Sequence, residues 1–130
     1  MSTNEGPQAV RSVVAVGAGF FAIEMLGWGG DASFHALDPQ AFDAKTLDAL
    51  LVMLAYGAVF DCVGGYIAGR LAIRQPLKHA LALGVLVLAL HAVFTAARWG
   101  SAPAWYEIWA LLLIVPMCHL GGWIHEARSR

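Results

Sequence analysis

Apolar residues divide the chain into four long hydrophobic segments that are separated by shorter polar stretches. The segments cover about residues 12–28, 47–73, 77–97 and 105–124. A helix needs about 20 apolar residues to cross roughly 30 Å of hydrocarbon, whereas helices in soluble cores rarely need so many. The pattern therefore predicts an all-α membrane protein with one domain, residues 9–130, in which four transmembrane helices run up and down as a bundle.

The polar stretches predict the connections between these helices. Residues 1–8 contain Gly6 and Pro7 and have nothing to bury, so we expect a disordered N-terminal tail. Residues 29–46 predict an irregular loop with a short interfacial helix that begins at Pro39. The first segment also has the length of a signal-peptide core, so its cleavage remains an open alternative, which would remove Glu24.

Positive charges are distributed unequally between the two sides of the predicted bundle. One side carries Arg11, Arg70, Arg74, Lys78, Arg128 and Arg130, and the other carries Lys45 and Arg98. Because Lys and Arg are enriched at cytoplasmic helix ends, both termini are predicted to be cytoplasmic. The tryptophans agree with this orientation, since Trp28, Trp99, Trp105 and Trp109 lie at helix ends on the opposite side.

Composition excludes several classes of protein. Hydrophobic residues make up 59% of the chain and charged residues 13%, which leaves no room for a separate soluble domain. The formal net charge is -1 and the basic residues are dispersed, so nucleic-acid binding is not expected. Most side chains are therefore predicted to be surrounded by the lipid bilayer.

The second segment carries a stripe of small residues that includes one carboxylic acid. Gly57, Asp61, Gly65 and Gly69 repeat every fourth residue and therefore share one helix face, with Gly64 beside it. Small residues let helix backbones approach closely, so this face is predicted to pack against another helix. The partner is either a neighbouring helix of the same chain or a helix of a second protein.

Four polar side chains are predicted to lie inside the membrane. Counting about 1.5 Å per residue places His119 near Asp61 in the cytoplasmic half and Glu24 near His91 in the outer half. Two interpretations compete: the pairs hold the helices in register, or they form a proton or cation pathway. Haem ligation is not expected, because His91 and His119 differ by roughly 12 Å in depth.

Asp31 and His35 form a weak candidate site on the outer side. Their i, i+4 spacing would place them on one face if the first helix continued, and Asp38 follows nearby. A cluster without Cys or a second close His is a poor metal signature, so we predict no metal and no cofactor. The sequence has no catalytic motif, and an enzyme is not expected.

Several short motifs resemble one group of proteins. The sequences GGYIAGR at 64–70, PLKHA at 76–80, WY at 105–106 and LGG at 120–122 resemble a group of small bacterial four-helix integral membrane proteins with no assigned function. The resemblance implies a multi-pass protein of the bacterial inner membrane. It carries over no catalytic or ligand residue.

Two functions follow from these observations. The first is a non-catalytic accessory or assembly subunit, or a homo-oligomer, that would use the glycine face of the second segment and the exposed aromatic ends of the helices. The alternative is a small transporter or proton/cation-coupled permease built on Glu24, Asp61, His91 and His119. A continuous polar cavity lined by both Asp61 and Glu24 would favour the transporter.

Overall fold

The protein is built from five helices in the computed structural model, which describes residues 5–130. In chain order these are α1 (Glu5–Leu37), α2 (Pro39–Ala44), α3 (Leu47–Leu71), α4 (Pro76–Ala97) and α5 (Ala104–Arg128). The described residues contain no strand. Because α1, α3, α4 and α5 are each long and apolar enough to span a membrane, the predicted class is confirmed: this is an all-α, multi-pass membrane protein.

Side chains at the helix starts explain where α2 and α3 begin. The Asp38 carboxylate accepts a hydrogen bond of 3.0 Å from the backbone N–H of Ala41, and Pro39 occupies the first turn of α2. The Thr46 hydroxyl accepts one of 3.3 Å from the N–H of Ala49 at the start of α3. The short helix predicted from Pro39 is therefore confirmed.

The first helix is longer than the apolar pattern predicts. Residues 5–8 form its first turns, so the predicted tail is wrong over those residues, while residues 1–4 lie outside the described part of the chain. The predicted loop is wrong over residues 29–37, which continue α1. A helix of 33 residues is about 50 Å long, so α1 extends beyond a hydrocarbon layer of about 30 Å.

A contact with α3 supports this extension of α1. Gly30 has the aromatic ring of Phe60 against its backbone, since a Cβ added at Gly30 would lie 2.8 Å from a ring carbon. The loop was predicted from the polar residues that follow Gly30, and a glycine inside a helix itself costs about 1 kcal/mol relative to alanine. The packing of Phe60 and of the neighbouring Tyr56 offsets that local cost.

Helix α3 is the centre of the bundle. It packs against α1, α4 and α5, whereas no Cα atom of α1 lies within 8 Å of a Cα atom of α5 over the described residues. We call the end that holds Glu5, Arg128 and the turn at residues 72–75 the terminal end. The opposite end, with the connections at residues 38–46 and 98–103, is the loop end.

Backbone contact between α3 and α5 closes the terminal half. A Cβ added at Gly65 would fall on the backbone of Cys118, and one added at Gly121 would fall on the backbone carbonyl of Cys62. No residue with a side chain fits either position without moving a helix. The two helices can approach this closely only because both residues are glycine.

The other predicted packing glycines have different outcomes. Gly64 packs against the side chain of Ile23 on α1, and a Cβ added at Gly69 would lie 3.3 Å from the Cα of Gly122. The packing roles predicted for Gly64, Gly65 and Gly69 are therefore confirmed. The role predicted for Gly57 is wrong, because a Cβ added there would have no atom within 4 Å. The spacing of the glycines shows that they share one face of α3, but it does not show over which residues a neighbouring helix contacts that face.

We expect Gly65→Ala to destabilise the bundle, because the added methyl group must push α5 away from α3. Overpacking of this kind costs about 1–3 kcal/mol of unfolding free energy. Unfolding by SDS in mixed micelles, followed by circular dichroism, measures the change. Gly17→Ala is the matched control, since a Cβ at Gly17 meets nothing within 4 Å. Equal stability of the two variants would contradict the proposed α3–α5 contact.

Candidate functional site

A cavity of about 760 Å³ lies between the four long helices. Its walls come from residues 23–31 of α1, 50–61 of α3, 91–98 of α4 and 106–114 of α5, together with Lys45, Ser101 and Ala102 from the connections. These segments belong to the loop-end half of the bundle. The cavity thus begins where the backbone contact between α3 and α5 ends, and Gly57 faces it rather than a helix.

Carboxylic acids from three helices line this cavity. They are Glu24 and Asp31 of α1, Asp61 of α3 and Glu107 of α5. At 1.5 Å per residue, Asp61 lies about 20 Å along α3 from its loop end, and Glu107 lies about 5 Å along α5. The acidic groups therefore extend from the mouth of the cavity to its floor.

Glu24 and His91 form the pair that the sequence predicts. The Nε2 atom of His91 lies 3.0 Å from the Oε1 atom of Glu24, and the contact joins α1 to α4. The side chain of Glu24 is 44% exposed and that of His91 is 40% exposed, so the pair borders open space rather than a sealed core. This prediction is confirmed.

The predicted pair of His119 with Asp61 is wrong. Asp61 is buried at 7% exposure and lines the cavity, whereas His119 is exposed on the outside of α5 and is not part of the lining. Consecutive residues of a helix point about 100° apart, and it is Cys118 that faces the bundle. Depth alone did not fix the direction in which His119 points.

The outer candidate residues Asp31 and His35 both lie on α1, which continues past them as their shared helix face requires, but their side chains have different partners. Asp31 accepts a hydrogen bond from the hydroxyl of Tyr56 inside the cavity. The Nε2 atom of His35 lies 3.6 Å from the Oδ1 atom of Asp43. The carboxylate of Asp38 caps the N-terminus of α2. Across residues 5–130, no group of three or more His, Cys, Asp or Glu side chains is arranged to hold a metal ion.

Glu107 is a site residue that the sequence reasoning missed. It is 6% exposed, and its Oε2 atom is buried without a hydrogen-bond partner. The signal was available, because Glu107 interrupts the fourth apolar segment in the same way that Glu24 interrupts the first.

Basic and aromatic side chains complete the lining. Lys45 donates a hydrogen bond to the backbone carbonyl of Ser101, which ties the two loop-end connections together, and Arg98 lies at the end of α4. The aromatic lining residues are Trp28, Phe42, Tyr56, Phe60, Phe94 and Tyr106. The mouth thus carries positive charge, and the interior combines carboxyl groups with aromatic rings.

Comparisons with protein-family models, with curated proteins and with solved structures found no match to this chain. The geometry of the cavity therefore carries the functional argument.

We expect Glu24 and His91 to be energetically coupled. A double-mutant cycle with Glu24→Gln and His91→Gln, measured by SDS unfolding in mixed micelles, should give a coupling energy of about 0.6–2 kcal/mol. The matched control is the exposed ion pair of Arg130 with Glu126, whose nitrogen and oxygen lie 3.4 Å apart. Exposed i, i+4 pairs contribute about 0.3–0.5 kcal/mol. A coupling no larger than the control's would contradict a stabilising role for the α1–α4 pair.

Proposed function

We propose that the protein is a small transporter or cation-coupled permease, and that the loop-end cavity is its solute-binding site. The observation that carries this proposal is the convergence of Glu24, Asp61 and Glu107, from three helices, on one cavity. Ionisable groups at membrane depth are costly, and those that line a cavity typically mark a substrate or ion pathway.

The closed terminal half supports a transport role. Contacts at Gly65 and Gly121 join α3 to α5 below the cavity, whereas the loop-end connections contribute to its lining, so the proposal places the entrance at the loop end. A transporter also needs a second conformation that opens the other end. In this proposal α1 moves relative to α5, a step that the separation of these two helices in the described chain would permit.

The alternative role as an accessory or assembly subunit has less support. It relied on the glycine face of α3 and on exposed aromatic helix ends, and only the second of these surfaces, with Trp28, Trp99 and Trp109, is exposed. Gly64, Gly65 and Gly69 instead pack within the chain, against Ile23, Cys118 and Gly122. Homo-oligomerisation remains a prediction, and the proposal assigns no catalytic residue.

We also propose that the protein resides in the bacterial inner membrane with both termini in the cytoplasm. The resemblance of its motifs and the excess of basic residues at the terminal end support this placement. A C-terminal fusion to green fluorescent protein should fluoresce, whereas a C-terminal fusion to alkaline phosphatase should be inactive. The opposite pair of results would reverse the proposed orientation.

The transport proposal predicts cation currents that depend on Asp61 and on the volume of the cavity. Proteoliposomes on a solid-supported membrane would receive concentration jumps of Na⁺, K⁺, Mg²⁺ and 2-phenylethylammonium, and a trapped pH dye would report proton flux. We expect Asp61→Asn to reduce the current at least about tenfold, because it removes the deepest carboxylate. Gly57→Trp should do the same by filling the cavity.

Two control variants keep this test specific. Asp48→Asn removes an exposed carboxylate from the first turn of the same helix, outside the cavity lining, and should leave the current unchanged. Gly17→Trp adds the same bulk on an exposed face of α1. The transport proposal fails if the wild-type protein carries no cation, or if Asp61→Asn behaves like Asp48→Asn.

A further inference from the structure

Two of the carboxyl groups in the cavity already have protein partners. Glu24 is paired with His91, and Asp31 accepts the hydrogen bond from Tyr56. The other two, Asp61 and Glu107, form no ion pair or side-chain hydrogen bond within the described residues. They are also the most deeply buried, at 7% and 6% exposure. Asp61 and Glu107 are therefore two buried acids without a protein partner in the described chain.

A buried carboxylate without a partner is strongly unfavourable, and a cation from outside the chain would supply the missing charge. Asp61 is the sharper indication, because it forms no side-chain hydrogen bond within residues 5–130 and its carboxyl oxygens, unlike the enclosed Oε2 atom of Glu107, are open to the cavity that it lines. Four carboxyl groups line the cavity against two basic side chains, Lys45 and Arg98. The excess of acid indicates a positively charged ligand.

The geometry does not suit a bare metal ion. A metal needs several ligands around one point, and no such group exists among residues 5–130. Asp61 and Glu107 also lie at different depths, so they do not converge on one small ion. A volume of about 760 Å³ falls instead in the range of about 300–1,000 Å³ typical of sites for small organic molecules.

Aromatic rings indicate the chemistry of the rest of the ligand. Tyr56, Phe60, Phe94 and Tyr106 line the cavity together with Asp61 and Glu107. Ring faces attract ammonium groups and also bury apolar carbon. A ligand that carries an amine on an apolar body uses both the acidic and the aromatic part of this lining.

We propose that the cavity binds an organic ammonium ion, with its charged nitrogen near Asp61 or Glu107 and its apolar body against the aromatic rings. This inference rests on the proposed transport function and names the class of solute. It assigns Asp61 and Glu107 to the ligand, whereas Glu24 and Asp31 hold the surrounding helices.

Binding of 2-phenylethylammonium to the full-length protein in detergent, measured by titration calorimetry, tests the proposal. We expect saturable binding, with at least about tenfold weaker binding by Asp61→Asn or by Glu107→Gln, because each loses a charge-assisted contact. Asp48→Asn should bind like the wild type. The uncharged 2-phenylethanol, which has the same apolar body, should bind at least about tenfold more weakly than the ammonium compound.

The outcomes separate the solute class from the transport function. Equal affinity for 2-phenylethanol, or unchanged affinity in both Asp61→Asn and Glu107→Gln, would overturn the organic-cation proposal. Asp61-dependent currents with Na⁺, K⁺ or Mg²⁺ but no binding of 2-phenylethylammonium would also overturn it, while transport would stand. Binding that depends on Asp61 without any current would support the ligand class and refute transport. Thermal unfolding of each variant confirms that its fold is intact.

Discussion

The backbone contact between α3 and α5 determines the shape of the rest of the bundle. Gly65 and Gly121 bring these two helices together in the terminal half, and helices that cross at an angle separate away from their contact point. The glycine stripe of α3 runs from the region where α3 and α5 are in contact to the region where they are apart. Gly69 and Gly65 lie in the contact, Asp61 is one turn beyond it at the floor of the cavity, and Gly57 faces open space.

Local sequence patterns predicted the parts of the structure that depend on periodicity and depth. The four spans, the short helix that begins at Pro39 and the pair of Glu24 with His91 belong to this group, because both members of the pair are complementary and lie at a similar depth. The predictions were wrong where the outcome depends on a contact with another helix or on the direction in which a side chain points. His119 has a suitable depth but points outward, and the extension of α1 past Gly30 depends on Phe60 of α3. Glu107 lay too close to a helix end for depth to identify it.

The acidic side chains of the cavity fall into two groups, according to whether they have a partner within the protein. A group that only holds helices together needs a partner on another helix, as Glu24 and Asp31 have in His91 and Tyr56. Asp61 and Glu107 are more buried and lack such partners. Since an unpaired buried carboxylate opposes folding, a purely structural role would favour its replacement by an apolar residue. Their presence is better explained by a ligand that supplies the opposite charge.

The positions of the charged groups also bear on which cations would suit the cavity. Lys45 donates a hydrogen bond to the carbonyl of Ser101 and lies on the same side of the lining as Arg98, at the end of α4. Repulsion from these basic side chains and attraction to the carboxyl groups both scale with the charge of the approaching ion, so charge alone does not distinguish a divalent from a monovalent cation. The depths of the acids do distinguish them, because Asp61 and Glu107 do not act on one point, as a small divalent ion requires. A monovalent ammonium ion needs only one carboxylate and would recover part of its lost hydration at the aromatic walls, which is why the proposed solute class fits the interior of this cavity.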